Sequence, residues 1–139
     1  MARVNHVAVI VAAIVYWLLG WLWYTVFKGP WMALSGLTPA QMNAGVTPYI
    51  VSIIVAILVA YVVAIALADS TNPNPVRHGI EFGLFFGVGL IMLTALTTYM
   101  YEARPLGLWA IDTGYHAFSL AVMGAIIGAF RKRSVTAAA

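Results

Sequence analysis

The stretch Thr47 to Ala68 reads TPYIVSIIVAILVAYVVAIALA and carries no charged side chain over its whole length. A spanning helix needs about 20 predominantly apolar residues to cross roughly 30 Å of hydrocarbon. Three other runs share this character, and the four predicted spans are Val4 to Phe27, Thr47 to Ala68, Gly79 to Tyr101, and Leu106 to Phe130. None alternates apolar and polar residues as a barrel strand does, so each run predicts a helix.

The composition leads to the same class of protein. Of the 139 residues, 63% are apolar and only 8% are charged, and the mean hydropathy is +0.95. A chain this short and this apolar cannot bury its own surface, so lipid must cover much of it. We therefore predict an all-α integral membrane four-helix bundle in which residues 1–139 form a single transmembrane domain.

Lysine and arginine counts predict the orientation of the bundle. Four spans place both termini on one side, and the cytoplasmic side of a membrane protein carries the excess of Lys and Arg. The terminal side carries five such residues and the other side two, which are Arg3, Arg77, Arg131, Lys132 and Arg133 against Lys28 and Arg104. Both termini are therefore predicted to be cytoplasmic, in a multi-pass protein of the cell inner (plasma) membrane. The basic tail predicts contact with lipid headgroups and no nucleic acid binding.

Turn-forming residues mark the two outer loops. Gly29-Pro30 ends the first helix, and Thr38-Pro39-Ala40-Gln41 has the form of a capping box with proline at the first helical position. We predict a short amphipathic helix in the outer interface, anchored by Trp31, Met32 and Leu34. The loop from Glu102 to Pro105 is so short that spans three and four must be antiparallel neighbours, with Glu102 and Arg104 paired at the turn.

Small residues recur at helical spacing in three spans. The stripes are Ser52, Ala56, Ala60, Ala64 and Ala68 in the second span, Gly79, Gly83 and Gly87 in the third, and Gly114, Ala117, Ala121, Gly124 and Gly128 in the fourth. In lipid, small residues let helix backbones approach closely, so these stripes predict helix packing. Four short helices offer few internal interfaces for three stripes, which favours a homo-oligomer.

Asp112 and His116 are the sharpest candidate site. They lie four residues apart on the fourth span and share a face with Ser119. Ionisable groups at such depth are costly and usually face a cavity or a partner. Two interpretations remain open: a proton-responsive or ligand-binding site, and a buried Asp–His hydrogen bond that fixes helix register.

Threonines on the third span could extend this site. Thr94, Thr97 and Thr98 lie in its outer half, where we expect them to come within reach of Asp112. Threonine hydroxyls in membrane helices also bond to their own backbone, so this second possibility stays open.

A second polar group is predicted near the cytoplasmic ends of spans one and three. It comprises Asn5, His6, His78 and Glu81. A zinc site needs three or four ligands of suitable geometry, and His6 is the only obvious third ligand beside His78 and Glu81, so we predict no metal and no cofactor. Asn5 and Glu81 are expected to cross-link helices one and three, or to reach the interface.

Most of the tryptophans fit an aromatic belt at the outer interface. Trp17 and Trp21 lie deeper in the first span than a belt requires. They either pack in the core or line a cavity.

Several motifs together resemble a known family. They are Gly20-Trp21-Leu22-Trp23-Tyr24, Phe27-Lys28-Gly29-Pro30-Trp31-Met32, Tyr101-Glu102-Ala103-Arg104-Pro105-Leu106, Gly114-Tyr115-His116, and Met123-Gly124-Ala125-Ile126-Ile127-Gly128. In these, the chain is similar to the small bacterial four-helix membrane proteins filed as domain of unknown function 1761. The resemblance covers essentially the whole chain. It implies the four-span topology and no established activity.

The chain departs from the pattern of that family at three places. Lys28 precedes Gly29, where the family pattern usually has Gly followed by Lys. Ala103 replaces the glycine of the turn, and Asp112 stands where a neutral Asn is common in the family.

Three classes of function are compatible with these features, and the first of them is our prediction. The first is an oligomeric transporter or channel for a small solute or ion, with Asp112 and His116 facing a water-filled path. The second is a scaffold or accessory subunit that packs its small-residue stripes against a larger membrane partner. The third is a lipid-modifying enzyme with His116 as a base, for which no convincing nucleophile lies nearby, so no catalytic residue is assigned.

Overall fold

The computed structural model describes residues 4–42 and 45–137, with side chains described through Arg131. Arg3 and the side chains of Lys132 and Arg133, which enter the predicted charge bias, lie outside the described residues. All regular structure in the described ranges is helical. The elements are α1 (His6–Val26), α2 (Lys28–Ser35), α3 (Pro39–Met42), α4 (Thr47–Ala68), α5 (Pro75–Phe86), a π segment (Gly87–Met92), α6 (Leu93–Tyr101) and α7 (Leu106–Ala137).

Four helices are long and apolar enough to cross a membrane: α1, α4, the third span from Pro75 to Tyr101, and α7 up to Arg131. The predicted all-α architecture of four spans is therefore confirmed. We call the end that carries α2 and the turn before α7 the α2 end. The opposite end, with the loop between α4 and α5, is the terminal end.

Asparagine caps set the helix starts at the terminal end. The Asn5 side chain accepts a hydrogen bond from Ala8 N at 3.1 Å, and the Asn74 side chain accepts one from Arg77 N at 3.2 Å. With Pro75 in its first turn, the third span begins one turn before the predicted Gly79. Helix α7 continues past the predicted end at Phe130.

The segment in which one interfacial helix is predicted forms two short helices. Helix α2 ends at Gly36, which adopts the left-handed conformation with φ of 66° that glycine accepts without strain. The expected capping box then starts α3, since Gln41 Oε1 accepts from Thr38 N at 2.8 Å. No residue of α2 or α3 is fully buried, so both lie on the surface of the bundle.

The π segment interrupts the third span. A π turn holds more residues than an α turn, so the residues that follow it face a different direction from the one that α-helical spacing predicts. The altered backbone is stabilised by side chains: the Thr94 hydroxyl donates to Leu90 O at 2.5 Å, and Trp109 Nε1 donates to Met92 O at 2.9 Å. The interruption is therefore satisfied inside the protein, as membrane depth requires.

Spans three and four pack backbone to backbone. A Cβ atom at Gly79 would overlap the carbonyl of Gly124, and one at Gly83 would overlap the carbonyl of Leu120. Gly87 lies against Ala117 and Gly128 against Pro75 in the same way. Gly114 is the exception within its stripe, because it faces Trp23 of α1. The predicted antiparallel pairing of these spans is thus the closest contact in the bundle.

The stripe of the second span also packs inside the protein. Ala56, Ala60 and Ala64 are 1%, 0% and 5% exposed, and α4 packs on α1. All three stripes therefore have partners within one protomer. The stripes therefore no longer favour a homo-oligomer, because these four helices provide enough internal interfaces, and the homo-oligomer itself stays a prediction.

The terminal half of the interior is apolar. Its buried side chains come from α1, α4 and α7, and they include Val9, Ala12, Val63, Leu67, Met123 and Ile127. At the boundary, Arg131 donates to the carbonyls of Leu67 and Ser70, which fastens α7 to the end of α4. The bundle is thus closed at this end by hydrocarbon and backbone contacts.

Candidate functional site

Asp112 lies at the centre of a polar cluster near the α2 end. Its Oδ1 accepts hydrogen bonds from Tyr24 OH at 3.0 Å and from Trp31 Nε1 at 2.9 Å. Its Oδ2 accepts one from Tyr99 OH at 2.5 Å. Because the donors come from α1, α2 and α6, one carboxyl group on α7 joins four elements.

The Tyr99–Asp112 distance is that of a strong hydrogen bond, whereas the 3.0 Å from Tyr24 lies at the long end for an O–H···O bond. An O–H···O⁻ separation of about 2.5–2.7 Å is typical of a charge-assisted bond, and hydrogen bonds to charged groups contribute about 1.5–3 kcal/mol each. Arg104 lies next to the cluster. Its guanidinium is 4.2 Å from the centre of the Tyr99 ring and 3.6 Å from the Glu102 carboxylate. The predicted Glu102–Arg104 pair is therefore present, and it borders the cluster.

His116 has a partner other than the predicted one. Its Nδ1 shares a hydrogen bond of 2.8 Å with Tyr16 OH, and the described residues contain no hydrogen bond or ion pair between Asp112 and His116. Tyr115 packs against both Tyr16 and His116 and donates to Tyr16 O at 3.0 Å. The direct Asp112–His116 pair was a wrong expectation, because long aromatic side chains on α1 bond to each group instead.

The second nitrogen of His116 is open. The imidazole is half-buried, and Nε2 neither has a hydrogen-bond partner among the described residues nor counts among their fully buried polar atoms. It lies near the middle of α7, one helical turn deeper than Asp112.

Ser119 shares the helix face but is isolated from His116. Its side chain is 0% exposed, and its Oγ lies beside the Tyr115 hydroxyl without a well-formed hydrogen bond in the described part of the chain. A buried Ser–His pair is therefore not formed.

The threonines do not join the Asp112 cluster. Thr94 donates to its own helix backbone, at Leu90 O and Ile91 O, and both Thr94 and Thr98 are exposed on the outside of the third span. The π segment explains this difference, since its extra residue rotates Tyr99 inward instead of the threonines.

The predicted group at the terminal end is also dispersed. Asn5 caps its own helix, His6 Nδ1 bonds to Tyr61 OH at 2.9 Å, and Glu81 pairs with Arg77 at 2.8 Å one turn away. The expected cross-link between helices one and three through Asn5 and Glu81 was therefore wrong. His78 is half-buried, and the described residues hold no group of three or more His, Cys, Asp or Glu side chains placed to bind a metal.

Sequence reasoning missed the partners of the two central groups. These are Tyr16, Tyr24, Trp31 and Tyr99. Tyr24 and Trp31 belong to the two aromatic motifs around the end of the first span, and these motifs were the sequence signal that could have identified them. Tyr16 and Tyr99 carry no local signal, because their roles depend on which way their helices face.

The fold and this cluster define a four-span α-helical membrane protein with an aromatic and acidic hydrogen-bond network at one end. Residues 7–128 match the model of a family described as "Protein of unknown function (DUF1761)". The chain belongs to this family, in agreement with the motifs that suggested it. No curated protein and no solved structure matches the chain.

Proposed function

We propose that this protein is an accessory or scaffold subunit that packs laterally against another membrane protein. The observation that carries the proposal is the pair of threonines on α6. Thr97 and Thr98 are exposed on the outside of a membrane span, and neither hydroxyl has a hydrogen-bond partner among the described residues.

Exposed hydroxyls within a span favour a protein neighbour over lipid. Acyl chains offer no donor or acceptor, whereas polar side chains across a helix interface do. The third span is also the least enclosed of the four. In its most apolar stretch of 18 residues, 17% of the residues are buried, compared with 50% in the fourth span. Close to the threonines, Tyr101 is 89% exposed. This face is therefore our candidate contact surface, in place of the small-residue stripes.

The interior of one protomer argues against a pore. The polar side chains Asp112 and His116 lie between the α2 end and the middle of the bundle, and their bonds are made inside the protomer. Beyond Ser119, the described interior consists of apolar side chains such as Val9 and Met123. A polar path along this interior would stop near the middle of the membrane.

Site-specific photocrosslinking in native membranes tests the scaffold proposal. A photoreactive phenylalanine analogue replaces Thr97 in one variant and Val62 in a control, since Val62 is 64% exposed on the second span. We expect one discrete adduct with another protein from Thr97 and none from Val62. Absence of any protein adduct at Thr97 would contradict the proposal. An adduct of twice the chain mass would also contradict it, because the neighbour would then be a second copy of this chain.

A transporter or channel built between protomers is the second candidate. The open Nε2 of His116 favours it, because an unpaired imidazole nitrogen at mid-depth needs water or a polar neighbour. The lipid-modifying enzyme gains no such support, since Ser119 and His116 do not contact each other through a hydrogen bond.

Flux assays separate the two candidates. Purified protein in liposomes with a pH-sensitive dye inside should show no proton or ion flux if it is a scaffold. The transport candidate predicts a pH-dependent flux that His116→Ala abolishes and the control His6→Ala leaves intact. The control histidine bonds to Tyr61 at the terminal end, away from the interior site.

A further inference from the structure

An apolar groove lies between the first and second spans at mid-depth. Its volume is about 270 Å³, and the side chains that line it include Ile10, Ala13, Ile14, Trp17, Ile53 and Ile57. Ala13 is 3% exposed and forms the floor, while Ile10, Ile14 and Ile53 are exposed and form the rim. The groove therefore opens sideways from the bundle, towards the bilayer.

The one polar group in the wall of the groove, the Trp17 indole N–H, already has a hydrogen-bond partner. Trp17 Nε1 donates to Ser52 Oγ at 2.9 Å, and Ser52 Oγ donates onward to Tyr49 O at 2.8 Å. Nothing in the lining then offers a hydrogen bond to water or to a polar solute. Apolar cavities of this kind stay dry, because a water molecule needs two to four polar partners.

The shape of the rim excludes a tightly packed neighbouring helix. Close helix approach in lipid requires small residues at the contact, and Ala13, the small residue of the lining, is buried at the floor of the groove. The rim carries branched side chains instead. A flexible hydrocarbon chain can enter between them, whereas a helix backbone cannot.

We propose that this groove is a binding site for one acyl chain of a bilayer phospholipid. Hydrocarbon chains are the surrounding medium at this depth, and an empty apolar volume loses the dispersion contacts of its lining. Trp17 forms one wall and is held in place by Ser52, so the groove exists before the chain enters. This site is independent of the Asp112 cluster and of the proposed contact face on α6.

Lipid photocrosslinking tests the site. Wild-type protein is reconstituted into liposomes that contain a phosphatidylcholine with a diazirine in its acyl chain, irradiated and digested. We expect labelling to concentrate in the segments 10–18 and 53–57. Even labelling of these segments and of equally exposed positions such as Val62 would overturn the proposal, because it would indicate bulk lipid contact only.

A matched pair of variants sharpens the test. Ile53 and Ile54 are neighbours on α4 and are 43% and 52% exposed, but only Ile53 lines the groove. Ile53→Trp should fill the groove and lose most of the labelling of segment 10–18, while Ile54→Trp should keep it. Retained labelling in a folded Ile53→Trp protein would refute the site.

A second copy of the chain is the alternative occupant. The sequence contains no cysteine, so Ile14→Cys introduces a single thiol at the rim. We expect this variant to stay monomeric under mild oxidation in liposomes. Rapid disulfide-linked dimerisation would overturn the lipid proposal and assign the groove to a protein contact.

Discussion

At the scale of single residues, the turn before α7 contains a strained alanine. Ala103 has φ of 53°, where glycine carries no steric cost and other residues lose about 1–2 kcal/mol. The family resemblance implies glycine at this position, which is the residue that this conformation favours. The strain is located between Glu102 and Arg104, whose side chains are paired across it.

Ala103→Gly should therefore stabilise the protein. We expect the free energy of unfolding to rise by about 1 kcal/mol, because the strain disappears at some cost in chain entropy. Titration with a denaturing detergent measures the difference. As a control, Ala95→Gly inside α6 should lower the same quantity by about 1 kcal/mol. Destabilisation by Ala103→Gly would contradict the strain argument.

Asp112 is the second residue whose environment predicts a clear outcome. Asp112→Leu leaves the buried Tyr99 and the half-buried Tyr24 and Trp31 without their acceptor, and an unpaired donor costs about 1–3 kcal/mol when it is fully buried. We expect a loss of at least about 3 kcal/mol in unfolding free energy.

Asp112→Asn is the matched variant. Its amide oxygen can still accept from Tyr24 and Trp31, and its amide nitrogen can donate to the Tyr99 hydroxyl. We expect a change within about 1 kcal/mol by the same detergent titration. An equal, large loss in both variants would show that the negative charge is required, and the hydrogen-bond argument would be wrong.

At the scale of elements, the third span shows where sequence patterns succeed and where they fail. The spacing of Gly79, Gly83 and Gly87 predicts a packing face, and it holds because the first two precede the π segment and Gly87 is its first residue. Thr94 and Thr98 lie beyond that segment, so their expected direction was wrong. The π segment changes the number of residues per turn, and no hydropathy pattern reveals this change. Because of it, Tyr99 faces Asp112.

Two glycines of this span should respond oppositely to one methyl group. Gly83→Ala places a Cβ against the backbone of Leu120, so the helices must separate, at a cost of about 2 kcal/mol. Gly89→Ala meets open space, and we expect unchanged or slightly higher stability. Thermal unfolding of the two detergent-solubilised variants measures the difference. Equal effects would contradict the packing of spans three and four.

At the scale of the whole molecule, hydropathy predicts the number of spans well because crossing hydrocarbon requires a minimum apolar length. Hydropathy and helix spacing could not predict the hydrogen-bond partner of His116. Helix spacing places Asp112 and His116 on one face, but Tyr16 is a hundred positions away in the chain, and its approach depends on how α1 rotates against α7. Contacts of this kind are set by packing and not by local sequence.

The orientation in the membrane can be measured on the intact chain. Since the sequence lacks cysteine, Leu37→Cys and Thr71→Cys each provide one reporter at opposite ends of the bundle. The excess of Lys and Arg at the terminal end predicts that a membrane-impermeant maleimide labels Leu37→Cys in intact cells and Thr71→Cys only after lysis. The reverse pattern would place the termini outside.

The hydrogen bond between Trp31 and Asp112 has an optical consequence. It holds an indole ring beside a carboxyl group, and the emission of an indole depends on the electric field and the wetness of its surroundings. The difference in fluorescence between the native chain and Trp31→Phe therefore isolates the signal of one ring among five tryptophans. For the purified protein, that signal reports whether α2 is packed against the bundle, in liposomes of any lipid mixture and without an added dye.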